Sequence, residues 1–172
     1  MLLRAESLAG THAIAASLAS LARSGDIIVL AGEMGAGKTS FAQGFGRALG
    51  ITDAITSPTF TLVHSYPVPN RRLTLHHADI YRLDRTGDVE DLALHELAEF
   101  DGIVLVEWGD VAGGALGDHL EVRLSVDDDH EYGDPDDEFG LDGRRLVELG
   151  ASGGSWAGRW ERISNELSDR RC

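Results

Sequence analysis

The sequence predicts a three-layer α/β domain on a mixed, partly antiparallel central sheet. Three observations carry this. Two short, wholly apolar runs, Ile27-Ile28-Val29-Leu30 and Ile103-Val104-Leu105-Val106, have the length and composition of strands buried on both faces. Helical periodicity stands on either side of the first run. In the second half, strands of alternating polarity cluster, as expected for antiparallel pairs with one wet face.

The elements follow in order. A helix is expected from about Gly10 to Arg23, with Leu8, Ile14, Ala15, Leu18 and Leu21 marking its apolar face. A strand covers Asp26 to Ala31. After a glycine-rich loop, Phe41, Phe45, Ala48 and Leu49 recur at helical spacing. Ser57-Pro58-Thr59 reads as a turn, because proline disfavours helix in the residue before it. Phe60 to Val68 and Leu73 to Ile80 read as strands joined by a turn at Asn70-Arg71-Arg72. A helix is expected over Asp88 to Phe100. Strands are expected at His119 to Val126 and Arg144 to Leu149. Ser155 to Leu167 reads as a last helix, with Trp156, Trp160, Ile163 and Leu167 on one side.

The 172 residues, 42% of them hydrophobic, are enough for one domain with a sizeable core. No apolar run approaches the roughly 18 residues of a membrane span, so no membrane association is expected. Glu6 and His12 interrupt the N-terminal segment, which argues against a secretory leader. The one cysteine, Cys172, allows no intrachain disulfide. A cytoplasmic protein is therefore expected. The net charge of −14 argues against a broad basic surface for nucleic acid. Much of that charge lies in Asp127 to Asp142, which holds nine acids and no lysine or arginine. This run reads as a solvated loop insertion. It is a poor calcium loop, because its glycine is misplaced and the closing glutamate is missing.

The stretch GEMGAGKTS, Gly32 to Ser40, matches the phosphate-binding pattern G-x-x-x-x-G-K-[ST]. It lies between a buried strand and a helix, the context its chemistry requires. Backbone N–H groups of such a loop point at phosphate oxygens, and the helix adds the positive end of its dipole. Glu33, Met34, Gly35, Ala36 and Gly37 would form the cradle, continued by Lys38, Thr39 and Ser40. Lys38 would reach the β- and γ-phosphates, and the Thr39 hydroxyl would ligate Mg²⁺. Lys38 is the only lysine in a chain with fourteen arginines. A compact ammonium fits where a broad guanidinium does not.

Three further stretches belong with the loop. In LVEWGD, Glu107 emerges at the carboxyl end of a central strand, where an acid can assist Mg²⁺. In HHADIYRL, a continuous strand would put His77, Asp79 and Tyr81 on one face and Arg82 on the other. Such polar groups could line a cleft, with Asp79 holding a metal-bound or attacking water. In SPTFTLVHSY, Thr59 sits where a switch segment could sense the γ-phosphate.

Taken in order, GEMGAGKTSF, SPTFTLVHSY, HHADIYRL and LVEWGD resemble the bacterial ATPase family of tRNA threonylcarbamoyladenosine biosynthesis, TsaE (YjeE). The resemblance runs from about Asp26 to Trp108 and continues weakly to Gly143-Arg144-Arg145. It implies a P-loop NTPase fold that binds ATP and Mg²⁺ through Gly35 to Thr39, with Thr39 and Glu107 on the metal. It also implies that Asp79 is needed for activity, that Trp108 lies at the nucleotide site, and that Arg144 contacts nucleotide. Catalysis would thus rest on Lys38, Asp79 and Glu107. The implied partners are the transferase subunit TsaD and its companion TsaB, with tRNA met only through that complex. Weak ATP hydrolysis, stimulated by those partners, would support their turnover, with Arg82 a candidate arginine finger. The chain departs from the family at Gly109, where a proline is usual, and in its longer acidic run. Competing readings are a GTPase, which would want an N-K-x-D lysine this chain lacks, a small-molecule kinase, and a nucleotide switch without turnover.

Overall fold

The computed structural model describes residues 1–58, 60–81, 93–109, 116–127 and 143–172. Strand β1 spans Leu2–Ala5, helix α1 Leu8–Leu21, β2 Ile27–Ala31 and α2 Lys38–Ala48. A hairpin of β3, Val63–Pro67, and β4, Thr74–Asp79, follows. Then come α3, Leu94–Glu99, and β5, Gly102–Glu107. The chain closes with β6, His119–Val126, β7, Arg145–Ser152, and two short helices, α4 at Gly154–Ala157 and α5 at Trp160–Glu166.

The seven strands form one sheet in the order β1-β7-β6-β2-β5-β4-β3. The centre, β6-β2-β5-β4, is parallel. Its margins are antiparallel: β3 on β4 at one side, β7 and β1 beyond β6 at the other. This is the mixed sheet expected. The alternation of side chains builds two cores. Ile28 and Leu30 of β2, with Ile103 and Leu105 of β5, face α1 and α2, where Leu18, Phe41 and Phe45 are fully buried. Ile27, Val29, Val104 and Val106 face the other way, onto Leu94 and Ala98 of α3. A strand buried on both faces has no polar position to alternate with, so its sequence is an unbroken apolar run.

Helix α1 starts two residues earlier than its periodicity indicated, because the Ser7 hydroxyl caps it by accepting from the Gly10 N–H at 3.2 Å. Leu8 is consequently exposed rather than part of the buried face. Helices α1 and α2 pack closely. A Cβ at Gly44 would stand 2.8 Å from the His12 Cα, so only glycine allows this approach.

Four elements differ from expectation. Strand β1 was not foreseen: four residues with only Leu3 and Ala5 turned inward are too short to show a period. The strand expected from Phe60 starts at Val63, since the N–H groups of Thr61 and Leu62 turn back to the Pro58 carbonyl, at 3.1 and 2.8 Å. Of the helix expected over Asp88 to Phe100, only Leu94–Glu99 falls within the described residues as helix; 88–92 lie outside them. The last helix is broken after Ala157, because Arg159 turns inward to a buried Asp26. The acidic segment lies outside the described residues except for Asp127, whose carboxylate pairs with Arg4 at 2.7 Å.

Two histidines carry a pH signature. Burial pushes the His76 imidazole below its ordinary value, and His12 is lowered by burial and then by the Arg47 charge. The folded state therefore holds fewer protons than the unfolded chain once free imidazole begins to protonate. Their contribution to stability is present above about pH 6.5 and is lost as the pH falls from there through the lowered folded values. Urea titrations from pH 8 to pH 5 are expected to show this decline, and His76→Phe should flatten it.

Candidate functional site

The loop leaves β2 at Gly32, which has φ +130°, and enters α2 at Gly37, φ +104°. At Gly32 the constraint is double, since a Cβ would also collide with the Leu124 carbonyl of β6. Helix α2 begins at Lys38 with no side-chain cap. Its first N–H groups, which have no partner within the helix, are thus left for an anion.

Lys38 is 5% exposed. Its ammonium donates to the carbonyls of Gly32 at 2.7 Å and Glu33 at 2.8 Å, and it lies 3.8 Å from the centroid of the Trp108 ring. Trp108, at φ +64°, also packs against Tyr81, with ring centroids 4.8 Å apart and the planes tilted by 46°. The cation thus lies over the loop mouth.

Parallel pairing sets Asp79 opposite Glu107 at the carboxyl ends of β4 and β5, beside the loop that follows β2. This is where open α/β sheets bind ligands. Glu107 Oε1 accepts from the Thr39 hydroxyl at 2.8 Å, joining residues 68 apart in sequence. The same oxygen accepts from His77 Nε2 at 2.9 Å. The Asp79 carboxylate accepts from the Ser57 hydroxyl at 3.0 Å and from the Tyr81 N–H at 3.0 Å. It thereby ties the loop after α2 to the end of β4.

These groups open onto a cleft of about 490 Å³. Met34, Gly35, Gly37, Lys38, Thr39 and Ser40 line one side of it. Asp79, Glu107 and Trp108 line the other, joined by Tyr81, which was expected beside Asp79 on a cleft, and by Ser57, which the sequence does not single out. Glu33 and Ala36 contribute backbone: the Glu33 carbonyl takes Lys38, and the Ala36 carbonyl takes Arg145. Strand β4 ends at Asp79, so Tyr81 leaves the strand face and reaches the cleft by packing against Trp108. His77 does not line the cleft; it is completely buried behind Glu107. Thr59 and Arg82 lie outside the described residues. Arg144 is half-buried and not among the residues lining the cleft. Its neighbour Arg145, also outside that lining, donates to the carbonyls of Ala36 at 2.9 Å and Gly35 at 3.3 Å. In a Gly-Arg-Arg run, sequence alone does not say which guanidinium strand β7 sends toward the loop.

The residues present fit a nucleotide and a divalent cation. The loop offers unfilled N–H donors and an ammonium, and Thr39 and Glu107 offer hard oxygens side by side. No cluster of three His, Cys, Asp or Glu side chains converges among the described residues. Mg²⁺ would therefore complete its shell from phosphates and water, as it usually does.

A three-layer sheet with this loop between its first central strand and helix, faced by an acid at the tip of the neighbouring strand, defines a protein of the P-loop NTPase fold. The model of the family "Threonylcarbamoyl adenosine biosynthesis protein TsaE" matches residues 5–133, and the chain belongs to that family. It is 39% identical to the tRNA threonylcarbamoyladenosine biosynthesis protein TsaE of Streptomyces coelicolor, over 81% of this chain and 89% of that protein. It is also 39% identical to the TsaE of Bacillus subtilis, over 70% of this chain and 76% of the other. The crystal structure of Bacillus subtilis YdiB superposes with a TM-score of 0.71 at 30% identity, covering 98% of this chain and 94% of that one. No helix among the described residues is long and apolar enough to cross a membrane.

Proposed function

We propose that this protein binds and hydrolyses Mg·ATP in support of tRNA threonylcarbamoyladenosine formation, acting in the cytoplasm with TsaD and TsaB rather than on tRNA directly. The observation that carries the reading is the Thr39 hydroxyl held 2.8 Å from Glu107 beside the buried ammonium of Lys38. An isolated glycine-rich turn has no reason to recruit a carboxylate from a strand 68 residues away. Bound Mg²⁺ would supply neutralisation of the β- and γ-phosphate charge. The loop N–H groups and Lys38 grip the phosphate chain and stabilise charge that develops on the γ-phosphoryl oxygens. Asp79 fixes Ser57 and, with it, the segment leading to Thr59; its carboxylate stands where an attacking water can be oriented. Trp108 and Tyr81 form an aromatic wall that shields Lys38 from solvent.

The test is phosphate release from ATP by the purified protein, alone and with TsaB and TsaD. Slow release alone and faster release with the partners is expected. Glu107→Gln should retain metal-free ATP binding and lose part of the affinity that Mg²⁺ adds, while release falls by roughly 10²-fold, the scale of removing one electrostatic group from a transition state. A full rate in the isolated protein, indifferent to the partners, would refute the assignment of a partner-dependent ATPase.

A further inference from the structure

Behind the cleft lies a side chain that the nucleotide reading leaves without a role. His77 is 0% exposed, and its Nε2 is 2.9 Å from Glu107 Oε1. A carboxylate oxygen only accepts, so the nitrogen facing it carries the proton and donates. The other nitrogen, Nδ1, is buried and has no hydrogen-bond partner among the described residues. The ring is therefore held from one side only, by the glutamate. His77 does not reach the cleft, so any effect on the reaction passes through that carboxylate.

The arrangement around Glu107 is lopsided in a way that has a purpose. Oε1 takes both available donors, His77 and Thr39. Oε2 has no partner among the described residues, although Glu107 lines the cleft. A glutamate has three rotatable bonds, and only a fixed partner distinguishes its two oxygens. Thr39 alone is a poor fixture, because its hydroxyl is itself a candidate metal ligand. The β-sheet supplies a better one. His77 pairs with Leu105 across β4 and β5, so its ring leans along the strand to the residue two positions further on. Both ends of that link are strand residues of the sheet interior and cannot drift. Imidazole also donates without needing a formal charge, so it need not cancel the negative charge a cation would seek.

We infer that His77 is a positioning residue: it locks the Glu107 carboxylate with Oε1 turned inward and leaves Oε2 to the magnesium shell. This rests on the Mg·ATP reading above and names the residue that tunes its metal. Outer partners of metal-linked carboxylates of this kind typically contribute 10- to 100-fold to metal affinity.

The experiment separates metal from nucleotide. ATP affinity is measured by calorimetry in EDTA and in Mg²⁺ for the wild type, His77→Gln, His77→Asn and His77→Met, each checked by thermal melt. Glutamine places an amide N–H near the position of Nε2; asparagine is equally polar but one carbon short; methionine fills the space without a donor. His77→Asn and His77→Met are expected to lose roughly 10- to 100-fold of affinity in Mg²⁺ and none in EDTA. His77→Gln should recover most of the loss. The two polar variants keep the comparison open if the apolar one folds poorly. Equal magnesium dependence in wild type, His77→Asn and His77→Met would overturn the inference while leaving the ATP reading intact. So would equal losses in EDTA and in Mg²⁺, or a glutamine variant no better than asparagine. A wild type that ignores ATP, or binds it without regard to Mg²⁺, would overturn the nucleotide reading and this inference with it.

Discussion

Replacing Lys38 with alanine is expected to abolish useful ATP binding, with affinity reduced by roughly 30- to 3,000-fold. Truncating a buried, hydrogen-bonded charge in a binding site typically costs about 2–5 kcal/mol, and each 1.4 kcal/mol is tenfold in affinity. Two effects add at this position. The ammonium that would meet the phosphates is lost, and so are the donors now holding the Gly32 and Glu33 carbonyls at 2.7 and 2.8 Å. Those carbonyls fix the entry to the loop, so their release also loosens the cradle. Lys38→Arg should fail nearly as badly. The space beneath the Trp108 ring, 3.8 Å from the nitrogen, is shaped for a compact ammonium on a flexible stem. Calorimetry with Mg·ATP reads both variants, and an unchanged affinity for Lys38→Ala would remove the basis of the nucleotide assignment. Trp108 offers a second readout: its ring faces the Lys38 ammonium at 3.8 Å, so its fluorescence is expected to change when ATP binds there.

The largest expected loss of stability lies away from the cleft. Arg159 and Asp26 form a bidentate pair with contacts of 2.6 and 2.7 Å, and the two residues are 6% and 4% exposed. The guanidinium also donates to the Leu21 carbonyl at 2.9 Å and lies 3.8 Å from the centroid of the buried Trp156 ring. Asp26 Oδ2 accepts the Arg23 N–H at 2.8 Å as well. One ion pair thus joins the end of α1, the start of β2 and the C-terminal helices. Asp26→Ala leaves a buried guanidinium uncompensated and should cost about 3–5 kcal/mol. For a chain of this size that is a fall in Tm of roughly 10 °C. The contrast comes from removing both charges. The double replacement Asp26→Leu with Arg159→Met is expected to recover much of the loss, because a well-packed apolar pair avoids the desolvation that the ion pair incurs. Urea unfolding of the single and double variants checks this. A single variant within 1 kcal/mol of wild type, on the roughly 0–1 kcal/mol scale of surface pairs, would show that water reaches the pair.

What was legible in the sequence shares a physical character. The apolar runs at Ile27 and Ile103, the glycines at 32 and 37, and the periodicity of Phe41 and Phe45 act over a few residues. Burial on both faces demands an unbroken apolar run, and positive φ demands glycine. Strand, loop and helix could therefore be placed to within a residue or two. Short or marginal elements could not. Strand β1 exists only because β7 offers it an edge to pair with, and the break in the last helix exists only because Arg159 finds Asp26.

By itself, the sequence determined that a glycine-rich loop of the phosphate-binding pattern lies between a buried strand and a helix, with acids at Asp79 and Glu107 somewhere downstream. Only the tertiary structure decided that Glu107 meets Thr39, that His77 stands behind it, and that Arg145 holds the loop. The reason is that the first set of facts follows from local backbone geometry and the period of burial. The second depends on the strand order β2-β5-β4 and on the pairing of β7 with β6, long-range choices that no neighbouring residues encode.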